Sequence, residues 1–199
     1  MVSKKYTDDY RTESTIDENG KVIRKAVYIG PYYVHAAPEK DVRLSKRLCL
    51  PMAVLLWVLY VLCFVQNGTA ARQWWVSALY LVSLFPLVYI TWSCVSLWLA
   101  RPPFDRETSD DLSRRFEKMT LAYAALTGAA AVAGTVACLV LHCFVLPGDL
   151  LFLLGNGAAT LLGLLLYSRR KSFETREISR YSEDFPRLME AKNAKKQKR

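Results

Sequence analysis

Residues 48–65 read LCLPMAVLLWVLYVLCFV, eighteen residues without an Asp, Glu, Lys, Arg or His. As an α-helix this stretch extends roughly 27 Å at about 1.5 Å per residue, a match for a hydrocarbon core of roughly 30 Å. Working outward, three further runs of the same character follow at 75–99, 120–146 and 150–168. Each is long enough to cross a bilayer with some tilt. The hydrophobic share of 52% is thus concentrated in four runs separated by polar segments, the distribution a bilayer imposes on a chain. The expected fold is an all-α integral membrane protein with four transmembrane helices arranged as two antiparallel hairpins.

The flanks orient these spans. Of the 27 Lys and Arg residues, 10 lie in 1–47, 5 in 100–119 and 11 in 169–199, leaving only Arg72 for the two remaining connections. Positive residues collect on the cytoplasmic side, so both termini are expected there, in a cell membrane such as the bacterial plasma membrane. The same bias argues against insertion in both directions and makes any homo-oligomer a parallel one. The polar 1–47 segment leaves no early apolar core for a cleaved signal, so the first span is expected to act as an uncleaved one. Cys49, Cys63, Cys94, Cys138 and Cys143 all fall in or beside spans, where they read as small apolar residues and not as a disulfide framework.

Within 1–47, Glu18-Asn19-Gly20-Lys21 is the signal for a two-residue hairpin turn. Pairing Glu18 with Lys21 sets Ile16 opposite Ile23, Ser14 opposite Lys25, Thr12 opposite Val27 and Tyr10 opposite Ile29. An isolated hairpin needs a surface to be stable, and the tyrosines that follow, Tyr28, Tyr32 and Tyr33, suit a wet and apolar boundary. Hairpin and tyrosines are expected to pack on the protein's own helix ends or on headgroups. The alternative is a strand that docks another protein by β-augmentation, with those three tyrosines as partner contacts.

Between the second and third spans, Arg101-Pro102-Pro103 stops one helix, and Ser109 is expected to cap the next, whose Leu112, Phe116 and Met119 form an apolar stripe leading into the membrane. Residues 169–199 form a basic tail suited to anionic headgroups, its middle reading as a surface helix interrupted at Pro186. The net charge of +9 therefore points to lipid before nucleic acid.

Few residues could carry chemistry. No span holds an interior Asp, Glu, Lys or Arg of the kind an ion pathway normally needs. His142, with Cys138 one turn earlier and Cys143 beside it, is a candidate polar or metal site, with Asp149 across the turn as a candidate partner; a closed metal site would need a further ligand. Pro86, in the second span, predicts a kink, with Thr91 and Ser93 lining whatever it opens. Ala130, Gly134 and Cys138 on the third span, and Gly155, Ala159 and Gly163 on the fourth, form small-residue stripes expected to face each other across a tight Pro147-Gly148-Asp149 turn, or else a dimer partner. No phosphate loop, catalytic triad, zinc-protease motif or intramembrane carboxylate pair is present, so neither an enzyme nor a cofactor is expected. The leading expectation is a noncatalytic accessory or scaffold subunit that meets a membrane-protein partner through its cytoplasmic face. The alternatives are a small oligomeric transporter or channel using Pro86, Thr91, Ser93 and His142, and a metal or redox membrane protein.

Overall fold

The helix containing the first apolar run begins nine residues before it. In the computed structural model, which describes residues 4–16, 22–179, 185–186 and 189–190, α1 spans Glu39–Val65. Its polar first turns continue the helix with an Arg43–Glu39 ion pair at i,i+4, and Pro51 is accommodated inside it. A short loop and one turn, α2 (Thr69–Arg72), lead to α3 (Trp74–Val82) and α4 (Leu84–Leu99). The break between α3 and α4 at Ser83 has a covalent cause. Pro86 has no N–H for the carbonyl four residues back, and its ring crowds that carbonyl.

The third apolar run belongs to a longer continuous helix, from α5 (Arg106–Asp110) through a π-turn (Asp111–Arg115) into α6 (Phe116–Val140). It starts earlier and stops sooner than expected. Ser109 does not cap it: the helix begins after Asp105, and the Ser109 hydroxyl bonds the Thr175 hydroxyl instead. Residues 141–147 are apolar but form a loop, so the connection is not the three-residue turn expected at Pro147. Gly148 already opens α7 (Gly148–Ser168). The chain is mostly helical, and four of its helices are long and apolar enough to cross a membrane.

The four long helices form a closed square in which each packs on the next and the last on the first. Contacts fix the directions. Lys46 Nζ donates to Ala100 O (3.4 Å) and Trp57 Nε1 to Thr91 Oγ1 (2.9 Å), so α1 and α4 run antiparallel. Thr127 and Thr160 hydroxyls meet at 2.9 Å, and Cys63 Sγ donates to Phe152 O at 3.9 Å, which sets α7 antiparallel to both α6 and α1. Leu56, Leu87, Ile90, Leu112, Phe116, Tyr123, Phe152 and Leu166 fill the axis.

Two small sheets sit at the end of the bundle that carries both ends of the described chain. β1 (Tyr10–Ile16) pairs antiparallel with β2 (Val22–Tyr28), preceded by a 3-10 turn at Lys4–Asp9. The hairpin exists, but its register is one residue away from the expected one: Tyr10 opposes Tyr28 and Ile16 opposes Val22. Five residues, 17–21, then separate the last pair. An odd loop is incompatible with the two-residue turn, and a one-residue slip exchanges the partners on each face. The Asn19-Gly20 turn itself lies outside the described residues. The second sheet joins sequence-distant segments: β3 (Tyr32–His35) pairs with β4 (Thr175–Ile178), which follows a single turn, α8 (Arg170–Phe173). A strand therefore occupies the first part of the stretch expected as a surface helix, while the described residues 185–186 and 189–190 are helical. The basic end, Lys192 to Arg199, lies outside the described residues.

Candidate functional site

The two ends of the bundle differ in kind. One carries a folded cap made from residues 4–16, 22–36, 101–117 and 170–178; the other carries two loops.

The cap begins from backbone pairing. Tyr33 and Phe104 exchange N–H···O bonds of 2.9 and 2.7 Å, so the segment after Pro102-Pro103 becomes an extra partner of β3. Ala36 N–H donates to Glu174 O (2.9 Å), closing the far end of β3–β4. Beneath this sheet Phe116 stacks on Phe173, ring centroids 3.8 Å apart and nearly parallel, and both rings are fully buried. Those two phenylalanines weld the start of α6 to the segment after α7.

The tyrosines singled out in the sequence lie together in this cap, and their contacts are made within the chain. Tyr10, Tyr28, Tyr32 and Phe185 form an edge-to-face series with 5.1 Å between successive centroids. The Tyr28 hydroxyl donates to Pro31 O (2.7 Å) and accepts the Arg106 backbone N–H (2.9 Å), tying the hairpin to α5. Burial pushes its pKa up to about 12, with the Arg106 N–H pulling the other way. Tyr6 donates to Asp110 Oδ2 (2.9 Å), and Ile29 and Gly30 N–H groups bond Asp9 O. Gly30 is required by space: a Cβ there would stand 2.7 Å from the Tyr28 hydroxyl. Tyr33 sits beside Glu177, and burial with that carboxylate raises its pKa.

His35, on β3, packs edge-on against Phe104 at 4.8 Å. Both its ring nitrogens are buried without a hydrogen-bond partner. Burial, with Lys46 nearby, drives its pKa down to about 4, so the ring is neutral at pH 7. Where cap meets bundle, a cavity of about 310 Å³ is lined by Ser113, Arg114, Glu117, Arg170, Glu174 and Thr175, with Arg170 and Glu117 3.5 Å apart. By contrast, Arg11 to Ser14 of β1 are exposed, and among the described residues no third strand pairs with the hairpin.

The candidate pathway residues do not converge. Thr91 accepts from Trp57 and donates to Leu87 O, both at 2.9 Å, while Ser93 donates to Asp111 O at 3.2 Å. Both hydroxyls join the bundle together. Pro86 is buried in the first turn of α4. His142 is exposed at the other end of the molecule, in a left-handed conformation (φ 46°) just past the end of α6. Among the described residues no three His, Cys, Asp or Glu side chains gather as metal ligands.

The small-residue stripes separate into two interfaces. Gly134 lies against Leu153 and Phe152, and Gly163 against Ala124 and Tyr123, all across α6–α7. Ala130 and Ala159 are buried. Gly155 faces α1 instead, where a Cβ would overlap Cys63 Sγ.

Sequence reasoning named Asp149 as a candidate partner for His142, and the structure gives it other partners. The Asp149 carboxylate is fully buried and binds backbone rather than His142. Oδ1 accepts the Ala70 N–H (2.8 Å) and Oδ2 the Val145 N–H (2.7 Å), with Thr69 also bonded to it. The carboxylate thereby latches α2 to the 141–147 loop, and Gly68 lies so close that a Cβ would overlap Oδ1. The Asn67-Gly68 pair ahead of a short helix was its only sequence trace. Phe104 and β4 were equally hidden, since neither stands in a periodic pattern. Comparison with protein-family models, curated proteins and solved structures finds no match.

Proposed function

We propose that this chain is an integral membrane protein inserted through its four long helices with the cap in the cytoplasm, and that it acts without catalysis, as an accessory or scaffold subunit that meets its partner through the cap. One observation carries the reading. Three segments far apart in sequence are knitted into a single polar platform at one end of the bundle, and 26 of the 27 Lys and Arg residues belong to the segments on that side. A chain that needed only to span a membrane would not require this platform.

The tyrosines bind the platform together, so the docking element is the exposed strand β1. Its unpaired edge, with Arg11, Thr12, Glu13 and Ser14 outward, suits strand addition by a partner segment, where main-chain bonds supply affinity and alternate side chains supply selectivity. A photo-crosslinking residue at Thr12 or Glu13, introduced into the full chain in native membranes, tests this. The expected result is a discrete adduct with one other protein, lost when Thr12→Pro removes a strand N–H. Adducts only to lipid, or none, would overturn the docking role.

A further inference from the structure

The lipid-facing surfaces of the four helices are not alike. On α1 the exposed side chains include Val54, Leu55, Val58, Val61 and Leu62; on α6, Leu121, Val132 and Val136; on α7, Leu154, Leu161 and Leu164. These are aliphatic. The first three turns of α4 instead turn three aromatic rings outward, Phe85 (71% exposed), Tyr89 (45%) and Trp92 (62%), with Val88 between them. Two of these rings carry hydrogen-bonding groups.

Depth makes those groups a problem. Tyr89 lies ten residues before the α4 terminus at Leu99, roughly 15 Å along the helix, about half the hydrocarbon thickness of roughly 30 Å. Trp92 is three residues nearer the cap. Helical side chains lean toward the helix N-terminus, which carries both rings away from the cap-side headgroups, so neither reaches water. Among the described residues neither the Tyr89 hydroxyl nor the Trp92 indole N–H has a hydrogen-bond partner. Elsewhere, the Tyr123 and Ser45 hydroxyls excepted, the helices satisfy such groups locally. The exposed Thr135 hydroxyl donates to Ala131 O (2.9 Å), and the Trp57 indole finds Thr91. A phenol or an indole cannot reach its own helix's carbonyls in this way, and an unmet donor in hydrocarbon is costly.

We infer that the outward face of α4 is a homodimer interface at which Tyr89 and Trp92 of two parallel copies hydrogen-bond across a two-fold axis. The inference rests on the membrane reading above. A second copy fits better than an unrelated helix because the pattern is self-complementary. A two-fold axis along the membrane normal keeps each residue at its own depth in both copies, so Trp92 lies about 4.5 Å in depth from the opposing Tyr89, an offset the long indole side chain, leaning toward the helix N-terminus, can bridge. A phenol both donates and accepts, and an indole N–H donates, so each Trp92 supplies the donor and the opposing Tyr89 the acceptor. The isologous arrangement meets both indole donors, and one Tyr89 hydroxyl can donate to the other near the axis, so three of the four donors find acceptors; Phe85 and Val88 supply the apolar contact around it.

The test uses the full-length chain, labelled at its C-terminus in separate donor and acceptor pools and reconstituted in phosphatidylcholine–phosphatidylglycerol vesicles over a range of protein-to-lipid ratios. Energy transfer is expected to follow a dimer curve. The double variant Tyr89→Phe/Trp92→Phe, which keeps both ring faces, should move its midpoint roughly tenfold toward higher density, while Leu161→Ala/Leu164→Ala on α7 leaves it unchanged. Independently of those variants, Val88→Cys in a Cys143→Ser chain should crosslink to twice the chain mass, and Leu161→Cys should not. A chain that resists alkaline extraction yet stays monomeric at every ratio overturns the dimer alone; one released by alkali overturns the membrane reading too. A midpoint unmoved by the double variant, crosslinking through α7 instead, or a photo-crosslink from position 89 to a different protein would each overturn the α4 assignment.

Discussion

Asp149 offers the sharpest energetic test, because one buried carboxylate accepts backbone N–H groups from two separate connections. Asp149→Asn preserves size and one acceptor oxygen but replaces the other with an NH₂ group, which cannot accept. Either the Ala70 or the Val145 N–H, bonded at 2.8 and 2.7 Å, is then orphaned against a second donor. A hydrogen bond to a charged group contributes about 1.5–3 kcal/mol, and a buried unmet donor costs about 1–3 kcal/mol, so the expected loss is about 2–3 kcal/mol. Asp149→Ala orphans both N–H groups and should cost about 4–5 kcal/mol by the same reasoning. Unfolding in mixed micelles with rising denaturing detergent reads this through tryptophan fluorescence, and Trp74 and Trp75 begin α3 just beyond the latch. Gly68→Ala supplies a coupled check. Its Cβ would overlap Asp149 Oδ1 and stand 2.8 Å from the Asp149 backbone nitrogen, so it should destabilise the wild-type chain and cost less, with the backbone part of the clash retained, once Asp149 is Ala. An Asp149→Asn variant within 0.5 kcal/mol (about the error of such assays) of wild type, or additive costs for Gly68→Ala and Asp149→Ala, would refute the latch.

Three further outcomes follow from the same contacts. The Tyr123 hydroxyl is buried in the bundle axis without a partner, so Tyr123→Phe should stabilise the chain by about 1 kcal/mol in the same unfolding assay; a loss of that size would show the hydroxyl to be bonded. Gly155→Ala should cost about 1–3 kcal/mol by forcing α7 from α1, and Cys63→Ala should restore part of that loss because the clash is with Cys63 Sγ. His35 is held neutral, with its pKa down at about 4 in the fold against about 6.5 in an unfolded chain. The unfolded state therefore takes up the proton first, and the contribution of His35, intact above pH 6.5, is lost as pH falls toward 4. Allowing for screening of a partly exposed ring, that loss is about 1–2 kcal/mol, and His35→Phe should flatten it when stability at pH 7 and pH 4.5 is compared.

The four long apolar helices were legible because length and apolarity together leave a plain mark in a sequence, and 48–65 shows both without interruption. Their ends were less so, for a reason visible at each terminus. Hydropathy reports only the part of a helix that lipid would solvate, so the polar turns from Glu39 to Arg47 were left out of α1. It also cannot distinguish an apolar helix from an apolar loop, so 141–146 was counted as helix although the chain leaves α6 after Val140. The Asn19-Gly20 signal identified a hairpin but misplaced its register, since the loop between Ile16 and Val22 has five residues. The cap was the least legible feature. Its key pairs, Tyr33 with Phe104, Ala36 with Glu174 and Phe116 with Phe173, join positions 57 to 138 residues apart, and no local periodicity records such pairings. The tyrosines singled out in the sequence lie in the cap, where their hydroxyls and rings hold the platform together and leave β1 as its open edge.

The arrangement of four spans with the cap inside the cell can be read from the native thiols. Cys49, Cys63, Cys94 and Cys138 are buried, and Cys143 alone is exposed, on the loop end opposite the cap. A membrane-impermeant maleimide added to intact cells, or to spheroplasts where an outer envelope bars entry, should modify a single site, Cys143, and Cys143→Ser should abolish the labelling. Inverted vesicles, which present the cap outward, should remain unlabelled until detergent opens them. Labelling of Cys143 in inverted vesicles but not in intact cells would contradict the orientation, and equal labelling from both sides would contradict a single inserted topology.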